Sequence, residues 1–412
     1  MSQTLFTNAR IFDGHSEDCP DGMSVLIEDD RIVEISDRPI AAPGAQRIDV
    51  GGRTLMPGLI DLHTHAYACD VDFRKVELAG KAYRTAYGAR MLGHALDCGF
   101  TTVRDIGGGD RSLALAIEHK LIRAPRYFYA GKVLSMTGGH GDFRDPGEHQ
   151  HPDGLCGCGG GNALCVMADG VDECLKAARE QLRQGAHCLK IMASGGVSSP
   201  TDPIWANQYR EDEIRAIVGE CRERRTYVSA HCHPASAVRR CVEFGVRVIE
   251  HGTLIDRQTA EYVAASGAYV VPTMAVILGL HELGAKLGFP EESQRKMAVA
   301  AKSAVESLDI MRTAGVRIGL GSDLMGATYT RQCTEFTIRS EVFRPIEILR
   351  QATSMGAEIL MQPGQLGCVA VGAYADLIVV DGDPLADIGL LAQDGAALGV
   401  IMRGGELVRN RL

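Results

Sequence analysis

The chain has 412 residues, of which 45% are hydrophobic and 23% charged, so it can bury a large core. Its formal net charge of -9 disfavours a nucleic-acid partner, which requires a basic surface to neutralise phosphates. Residues 1–10 do not place a basic segment before an apolar one, and no stretch approaches about 18 consecutive apolar residues. We therefore expect a cytoplasmic protein with no nucleic-acid and no membrane partner.

The cysteines are thirteen in number and lie mainly in apolar segments. An odd number in such positions is typical of reduced thiols rather than of a disulfide framework. Cys156, Cys158 and Cys165 lie closer together in a glycine-rich stretch, but their spacing matches no zinc-binding pattern. We favour an irregular surface segment there over a structural metal site.

Both ends of the chain have the composition of short strands. Near the start, apolar and polar residues alternate around turn residues, as in antiparallel strands with one buried face, at 4–12 and 23–35. Strand-like composition returns after Pro363-Gly364, at 375–381 and 398–409. We expect these strands to pair in a small composite β-sandwich domain formed by residues 1–56 and 363–412.

The middle of the chain, from Leu55 onward, alternates apolar runs with helical segments, the pattern of β/α units around a parallel sheet. Eight runs end near His65, Asp105, Lys132, Ser194, His233, Thr253, Met274 and Asp323. Helices are predicted at 170–185, 210–225, 256–266, 293–314 and 344–360. The predicted fold class is therefore α/β, a (β/α)8 TIM barrel over residues 57–362.

Polar side chains lie at the ends of five of these runs, where TIM barrels keep their functional residues. They are His63, His65, Lys190, His231, His233, His251 and Asp323. Alternate positions in a strand point the same way, so one metal ion can take both His63 and His65. Alone, Lys190 would be typical of a surface lysine and Asp323 of a helix N-cap. Their joint placement at the strand ends favours a metal site.

The ligand types constrain the chemistry of that site. Neutral imidazoles and a carboxylate suit zinc or a similar divalent ion, whereas an ammonium group cannot be a ligand. Lys190 would have to lose its charge, and reaction of its neutral amine with carbon dioxide would give a carbamate with two oxygens. A carbamate could bridge two metal ions, and this step is a hypothesis.

Long motifs at these positions resemble the amidohydrolase superfamily, and more closely its imidazolonepropionase-like and Xaa-Pro (prolidase-like) or Xaa-basic dipeptidase branch. They are LMPGLIDLHTH at 55–65, TTVRD at 101–105, LKIMASGG at 189–196, IEHG at 249–252, GSD at 321–323 and ADLIVVDGDP at 375–384. The resemblance covers nearly the whole chain. It also implies a symmetric homo-oligomer.

The resemblance implies a role for each polar strand-end residue. His63, His65 and Asp323 would bind the more buried of two zinc ions, His231 and His251 the second, and carboxylated Lys190 would bridge them. A hydroxide held between the ions would attack the substrate carbonyl. Asp323 would take its proton and deliver it to the leaving nitrogen, which makes it a catalytic residue.

Substrate contacts are predicted from two loops and one strand end. Residues 137–141 resemble the branch's substrate loop, which makes His140 a catalytic and substrate-binding candidate, with a surface-loop histidine as the alternative. Trp205 and Tyr209 follow the fourth run and are candidate pocket residues, with core packing as the alternative for Trp205. His233 stands where prolidase-like relatives have tyrosine, and when protonated it would bind a carboxylate better.

The first hypothesis is a binuclear metal-dependent amidohydrolase that cleaves the amide bond of a dipeptide (Xaa-Pro-like) or an N-acyl amino acid. The alternative is a hydrolase of another amide, lactam or carbamate, including xenobiotic and mycotoxin amides. A non-catalytic scaffold is disfavoured, because no ligand or proton-transfer position is missing from the sequence.

Overall fold

The structure is a computed structural model that describes residues 2–144, 147 and 163–412. Cys156 and Cys158 of the glycine-rich stretch lie outside these residues, whereas Cys165 is described and buried. Within the described ranges, no helix is both long and apolar enough to cross a membrane.

The chain opens with strands rich in β-branched and large apolar residues, which suit a half-buried sheet. They are β1 (Gln3–Ile11), β2 (Met23–Glu28), β3 (Arg31–Ser36), β4 (Gln46–Asp49) and β5 (Thr54–Pro57). β1 pairs with β2 antiparallel and with β4 and β5 in parallel. The two predicted segments at the start of the chain are therefore strands.

Parallel strands follow in the middle of the chain. They are β6 (Leu59–Thr64), β7 (Phe100–Asp105), β8 (Arg126–Tyr129), β9 (Val133–Ser135), β10 (Cys165–Met167), β11 (Leu189–Met192), β12 (Val228–Pro234), β13 (Val248–Leu254), β14 (Tyr269–Val271) and β15 (Arg317–Ile318). Backbone hydrogen bonds close the ring, from Leu62 to Leu320 at 2.9 Å and from His187 to Tyr129 at 2.8 Å. The strands β6, β7, β8 and β11 to β15 thus form the predicted TIM barrel.

Three of the predicted runs differ in detail from the observed strands. The third divides into β8 and β9, because the chain turns at Gly131 with φ 74°. The seventh ends at Val271 rather than near Met274, because Pro272 has no amide hydrogen to donate. The eighth is regular only at Arg317–Ile318, and the irregular segment 319–323 leads from it to the site.

Helices cover the outside of the barrel. They are α1 (Phe73–Leu78), α2 (Lys81–Asp97), α3 (Arg111–Glu118), α4 (Gly170–Arg183), α5 (Glu211–Glu223), α6 (Ala235–Glu243), α7 (Arg257–Ser266), α8 (Met274–Leu287), α9 (Glu291–Thr313), α10 (Thr334–Ser340), α11 (Pro345–Gln351) and α12 (Ser354–Ile359). The helix predicted at 344–360 is two helices, because Thr353, with φ -134° and ψ -96°, is not helical. Asp110 and Asp256 cap α3 and α7 by accepting from backbone amides.

The chain ends in strands β16 (Leu377–Val380), β17 (Leu398–Arg403) and β18 (Glu406–Asn410). β16 pairs with β5, which joins both ends of the chain in one sheet in the order β18-β17-β16-β5-β1-β2-β3. Phe6, Val25 and Val400 are among the side chains of its separate buried core. The predicted composite β domain is confirmed as part of the fold, and its boundaries at 1–56 and 363–412 remain our proposal.

Candidate active site

The imidazoles of His63 and His65 and the carboxylate of Asp323 meet at the C-terminal mouth of the barrel. The Nε2 atoms of the two histidines lie 3.2 Å apart. Asp323 Oδ1 lies 3.4 Å from His63 Nε2 and 3.1 Å from His65 Nε2. The alternation of β6 brings the two rings to one side of the strand, as the sequence predicts.

Asp323 is fixed by its backbone and by a buried aspartate beneath it. Its amide donates to His63 O at 2.7 Å, and its φ of 57° places it in the left-handed region, a strain typical of functional sites. Asp61 accepts from the Ser322 amide at 3.1 Å and from the Ser322 hydroxyl at 2.5 Å. These bonds hold the segment after β15 against β6.

Behind the site, Arg104 and Glu250 form a fully buried ion pair that orients His63. The guanidinium Nη2 donates to Glu250 Oε1 at 2.5 Å, and its Nε donates to Leu62 O at 2.6 Å. Glu250 Oε2 lies 2.7 Å from His63 Nδ1. Because His63 Nδ1 donates to this carboxylate, the lone pair of its ring is on Nε2, toward Asp323.

The other histidines are oriented in the same way by a partner at the second ring nitrogen. His251 Nδ1 lies 2.8 Å from Thr273 Oγ1, and His65 Nδ1 lies 3.0 Å from Gly107 O. His231 Nε2 lies 3.3 Å from Gly195 O. A neutral ring that donates from one nitrogen carries its lone pair on the other, so each has one nitrogen for a metal ion.

Burial lowers the pKa of most of these groups, whereas for His65 burial is outweighed by the Asp323 carboxylate, which raises the pKa. Burial lowers the pKa of His63 to about 4 and holds the pKa values of His231 and His251 well below the ordinary value. Burial also lowers the pKa of Lys190, which lies in β11 and faces the same space. Burial opposes ionisation of Asp323, yet the neighbouring His63 and His65 rings hold its pKa below the usual range. Neutral imidazoles beside a carboxylate can bind a metal ion without first losing a proton.

The donor set fits a divalent metal ion. His63, His251 and Asp323 offer ligand atoms that all lie within 4.8 Å of one another. Two nitrogens bound to one tetrahedral zinc ion would be about 3.3 Å apart, close to the separation of the His63 and His65 Nε2 atoms. The donor types and the closeness of these side chains are those that a divalent metal site requires.

The polar residues form the floor of a cavity with about 730 Å³ of empty space, a volume that includes its mouth open to solvent. We call His63, His65, Lys190, His231, His251 and Asp323 the cavity floor, since all of them line it. We call Phe73, Phe143, Val276, Leu280 and Met297 the cavity wall. Phe73 and Phe143 stack on each other, with ring centroids 4.5 Å apart. The cavity thus has a polar floor and an apolar wall.

His140 lies at the edge of the floor, where its ring stacks on His231 at 4.3 Å between centroids. Its Nδ1 lies 2.7 Å from Ser199 Oγ, and the Ser199 hydroxyl in turn donates to Asp202. Asp202 also accepts from Gln208 Nε2 at 2.9 Å. A Cβ at position 196 would lie 2.2 Å from His140 Cε1, so the glycine there makes room for the ring.

The remaining predicted substrate contacts divide between the cavity and its surroundings. His233 lines the cavity, and its Nδ1 lies 3.0 Å from Thr253 Oγ1. Burial lowers the pKa of His233 to about 3, so the ring is neutral near neutral pH, and its contact with a substrate carboxylate remains a prediction. Trp205 is 71% exposed, and Tyr209 is buried beside Cys174 of α4. Neither Trp205 nor Tyr209 is among the residues that line the cavity.

Several residues of the site are not predicted by the sequence patterns above. Arg104 and Glu250 are charged residues inside apolar runs. The same signal identifies Lys190, and it could have identified these two residues as well. Asp202 and Ser199 lie in the loop after the fourth run, but only the fold brings them to His140. The wall residues come mainly from helices. In a helix, the sequence pattern does not distinguish an apolar residue that lines a cavity from one that lies in the core.

Comparison with known proteins agrees with this site. The profile of the amidohydrolase family matches residues 54–407. Ochratoxinase of Aspergillus niger is 33% identical over 367 residues, 86% of this chain and 75% of that protein. Imidazolonepropionase of Salinispora arenicola is 26% identical over 409 residues, 92% of this chain and 90% of that protein.

Among solved structures, a prolidase in complex with N-methylphosphonate-L-proline is 44% identical, with a TM-score of 0.96 over 99% of this chain and 100% of that one. The resemblance predicted from the sequence is confirmed, and with it the prediction of an enzyme that hydrolyses amide bonds. The chain belongs to the amidohydrolase family.

Proposed function

We propose that the protein is a binuclear metal-dependent amidohydrolase that cleaves a dipeptide of the Xaa-Pro type or an N-acyl amino acid. The observation that carries this proposal is the convergence of four imidazoles, Lys190 and Asp323 on one cavity floor. His63, His65 and Asp323 would hold one ion, and His231 and His251 the other. Zinc is the expected ion, and a homo-oligomer in the cytoplasm is the expected form of the protein.

Lys190 is the proposed bridge between the two ions. Its amine is buried at the floor, and a lysine in the charged form would repel the cations beside it. Addition of carbon dioxide to the neutral amine forms one N–C bond, releases one proton and gives an anionic carbamate. When bound, the two ions would lower the pKa of water and polarise the amide carbonyl.

Asp323 is the proposed proton carrier. Its Oδ1 lies within 3.4 Å of both His63 and His65, and its position at the floor faces the space in which the amide would lie. It would accept a proton from the attacking water and donate it to the leaving nitrogen. The same carboxylate thus acts as general base and then as general acid.

His140 is the proposed contact for the substrate carbonyl or carboxylate. Ser199 Oγ and Asp202 Oδ2 lie 2.7 and 3.7 Å from His140 Nδ1, which leaves Nε2 for a hydrogen bond with the substrate. His233 would contribute a neutral ring, and Trp205 and Tyr209 are not among the proposed contacts because they lie outside the cavity.

The test is a panel of Xaa-Pro dipeptides, other dipeptides and N-acyl amino acids, offered to enzyme loaded with zinc in the presence of bicarbonate. We expect release of the amino acid product from at least one class, with loss of turnover after chelation and recovery on adding zinc. No turnover above the metal-free blank on the whole panel would refute the proposed substrate class.

A second candidate is a bulky aromatic amide, including a mycotoxin amide. The stacked Phe73 and Phe143 pair and the aliphatic side chains of α8 and α9 favour a large apolar group in the cavity. The relationship to ochratoxinase supports it as well. Release of an amine from aromatic amides, without turnover of the dipeptide panel, would favour this candidate over the first.

A further inference from the structure

A second group of metal-ligand side chains lies outside the cavity. His94 and Cys98 are on the last turn of α2 and its C-cap, Cys333 is the N-cap of α10, and Asp394 follows a short 3-10 helix at Ile388–Ala392. One ligand atom each from His94, Cys98 and Asp394 lies within 4.8 Å of the others. Cys333 lies beside Cys98 and Asp394, outside the set of three residues whose ligand atoms are mutually this close. Three potential ligands thus meet from two parts of the chain, and the thiol of Cys333 at the start of α10 lies next to two of them.

The distance between His94 and Cys98 fits a tetrahedral ion. Cys98 Sγ lies 3.5 Å from His94 Nε2. A sulfur and a nitrogen bound to one tetrahedral zinc ion would be about 3.5 Å apart, given bond lengths of roughly 2.3 and 2.05 Å. The spacing of four residues places His94 and Cys98 on one face of α2. The Tyr329 ring packs edge-on to the His94 imidazole at 5.3 Å and helps to fix its orientation.

The surroundings hold the group at the junction of the barrel and the composite β domain. Cys98 is 1% and Cys333 0% exposed, while Asp394 lies at the surface. Arg409 of β18 donates to Gly395 O at 2.8 Å and to Asp97 Oδ1 at 3.1 Å, next to Asp394 and Cys98. An ion at this point would therefore tie the loop before β17 to two barrel helices.

We propose that His94, Cys98, Cys333 and Asp394 form a structural zinc site that joins the barrel to the composite β domain. Two soft sulfurs, one imidazole and one carboxylate are a donor set that zinc accepts in closed four-coordinate sites. Binding replaces the thiol protons of Cys98 and Cys333 by the ion and releases those protons to solvent. The site shares no residue with the proposed catalytic centre.

Cobalt(II) distinguishes this site from the catalytic centre, because a cobalt-thiolate bond gives a charge-transfer absorption band and the proposed catalytic ligands contain no sulfur. We would load the reduced, full-length protein with cobalt and expect this band in the wild type. Cys98→Ser and Cys333→Ser should remove it. Cys165→Ser is the matched control, since Cys165 is a buried thiol that lines the active-site cavity, and it should leave the band unchanged.

Asp394→Asn tests the site without a buried substitution, since Asp394 is exposed. Loss of an outer partner of a metal ligand typically costs about 10- to 100-fold in metal affinity, so loss of a ligand should cost at least about tenfold. The affinity is measured by competition with a chelator that absorbs when metal-bound.

Three results would overturn the proposal: no band in wild-type protein, a band that persists in Cys98→Ser, or unchanged affinity in Asp394→Asn. A disulfide between Cys98 and Cys333 in protein purified with reductant and zinc would also overturn it. None of these results would affect amide hydrolysis, which is measured separately on the substrate panel.

Discussion

The floor and the wall of the cavity are built in different ways. The floor side chains stand at or just after the ends of barrel strands, and a partner at the second ring nitrogen orients His63, His65, His231 and His251. The wall side chains come from α1, α8, α9 and the segment after β9, and they contact one another through apolar surface. Rigid strands therefore hold the reaction chemistry, while helices and loops shape the space for the substrate.

This difference explains how one family can serve several amides. A change at the floor would alter the proposed metal ligands or the proposed proton transfer, which every substrate would require. A change at the wall alters the shape and apolar area of the cavity, which only some substrates use. Floor variants should therefore lose activity on all substrates alike, and wall variants should change the order of preference among them.

The largest effect is expected at Asp323. Asp323→Asn should lower turnover by roughly 100- to 10,000-fold on every substrate, because the amide cannot accept and return the proton. Metal content, measured by elemental analysis, should remain at half of the wild-type value or more, since the neighbouring histidines are intact. Turnover close to that of the wild type would show that another group carries the proton.

Lys190 should have the next largest effect. Lys190→Ala should reduce the metal content and the turnover together, and a short carboxylate added to the buffer should restore part of both. Lys296→Met is the matched control for metal content only, and it should leave that content unchanged, since Lys296 is also buried but its ammonium donates to Ser199 O at 2.9 Å and Asp202 O at 2.6 Å in the loop beside His140. Full metal occupancy in Lys190→Ala would argue against the bridging carbamate.

Two buried threonines allow a matched test of ligand orientation. Thr273→Val removes the acceptor of His251 Nδ1 and should weaken metal binding by about 10- to 100-fold, because the ligand loses its fixed tautomer. Thr253→Val removes the acceptor of His233, which is not a proposed ligand, and should leave metal affinity unchanged. Equal losses of metal affinity in the two variants, measured in a chelator competition assay, would contradict the assignment of His251 but not His233 as a metal ligand.

The floor could be predicted from the sequence because its signals are local. A His-x-His pair at the end of β6 and a lysine within the apolar run of β11 stand out against their neighbours. The barrel topology then fixes where strand ends meet, so even residues as far apart in the chain as His63 and Asp323 are expected to lie together.

The wall and the proposed structural zinc site could not be predicted in that way. Trp205 and Tyr209 follow a strand of the floor, but the loop turns them away from the cavity and brings Ser199 and Asp202 to His140 instead. His94 and Asp394 are 300 positions apart and belong to no motif, so only the packing of the β domain on the barrel unites them. Contacts of this kind depend on side-chain packing, which no local pattern encodes.

The smallest effect is expected at the wall, and it is the most informative for the substrate. Phe73→Ala removes one ring of the stacked pair, and loss of its buried area should cost about 1.5–3 kcal/mol in transition-state binding of a bulky aromatic amide. The ratio kcat/KM would then fall by roughly 10- to 150-fold for that amide and change little for a small dipeptide. Phe73→Leu keeps most of the apolar volume, so its kcat/KM for the aromatic amide should lie between those of the wild type and of Phe73→Ala. An equal loss on both substrates would mean that Phe73 supports the fold of the site rather than the choice of substrate.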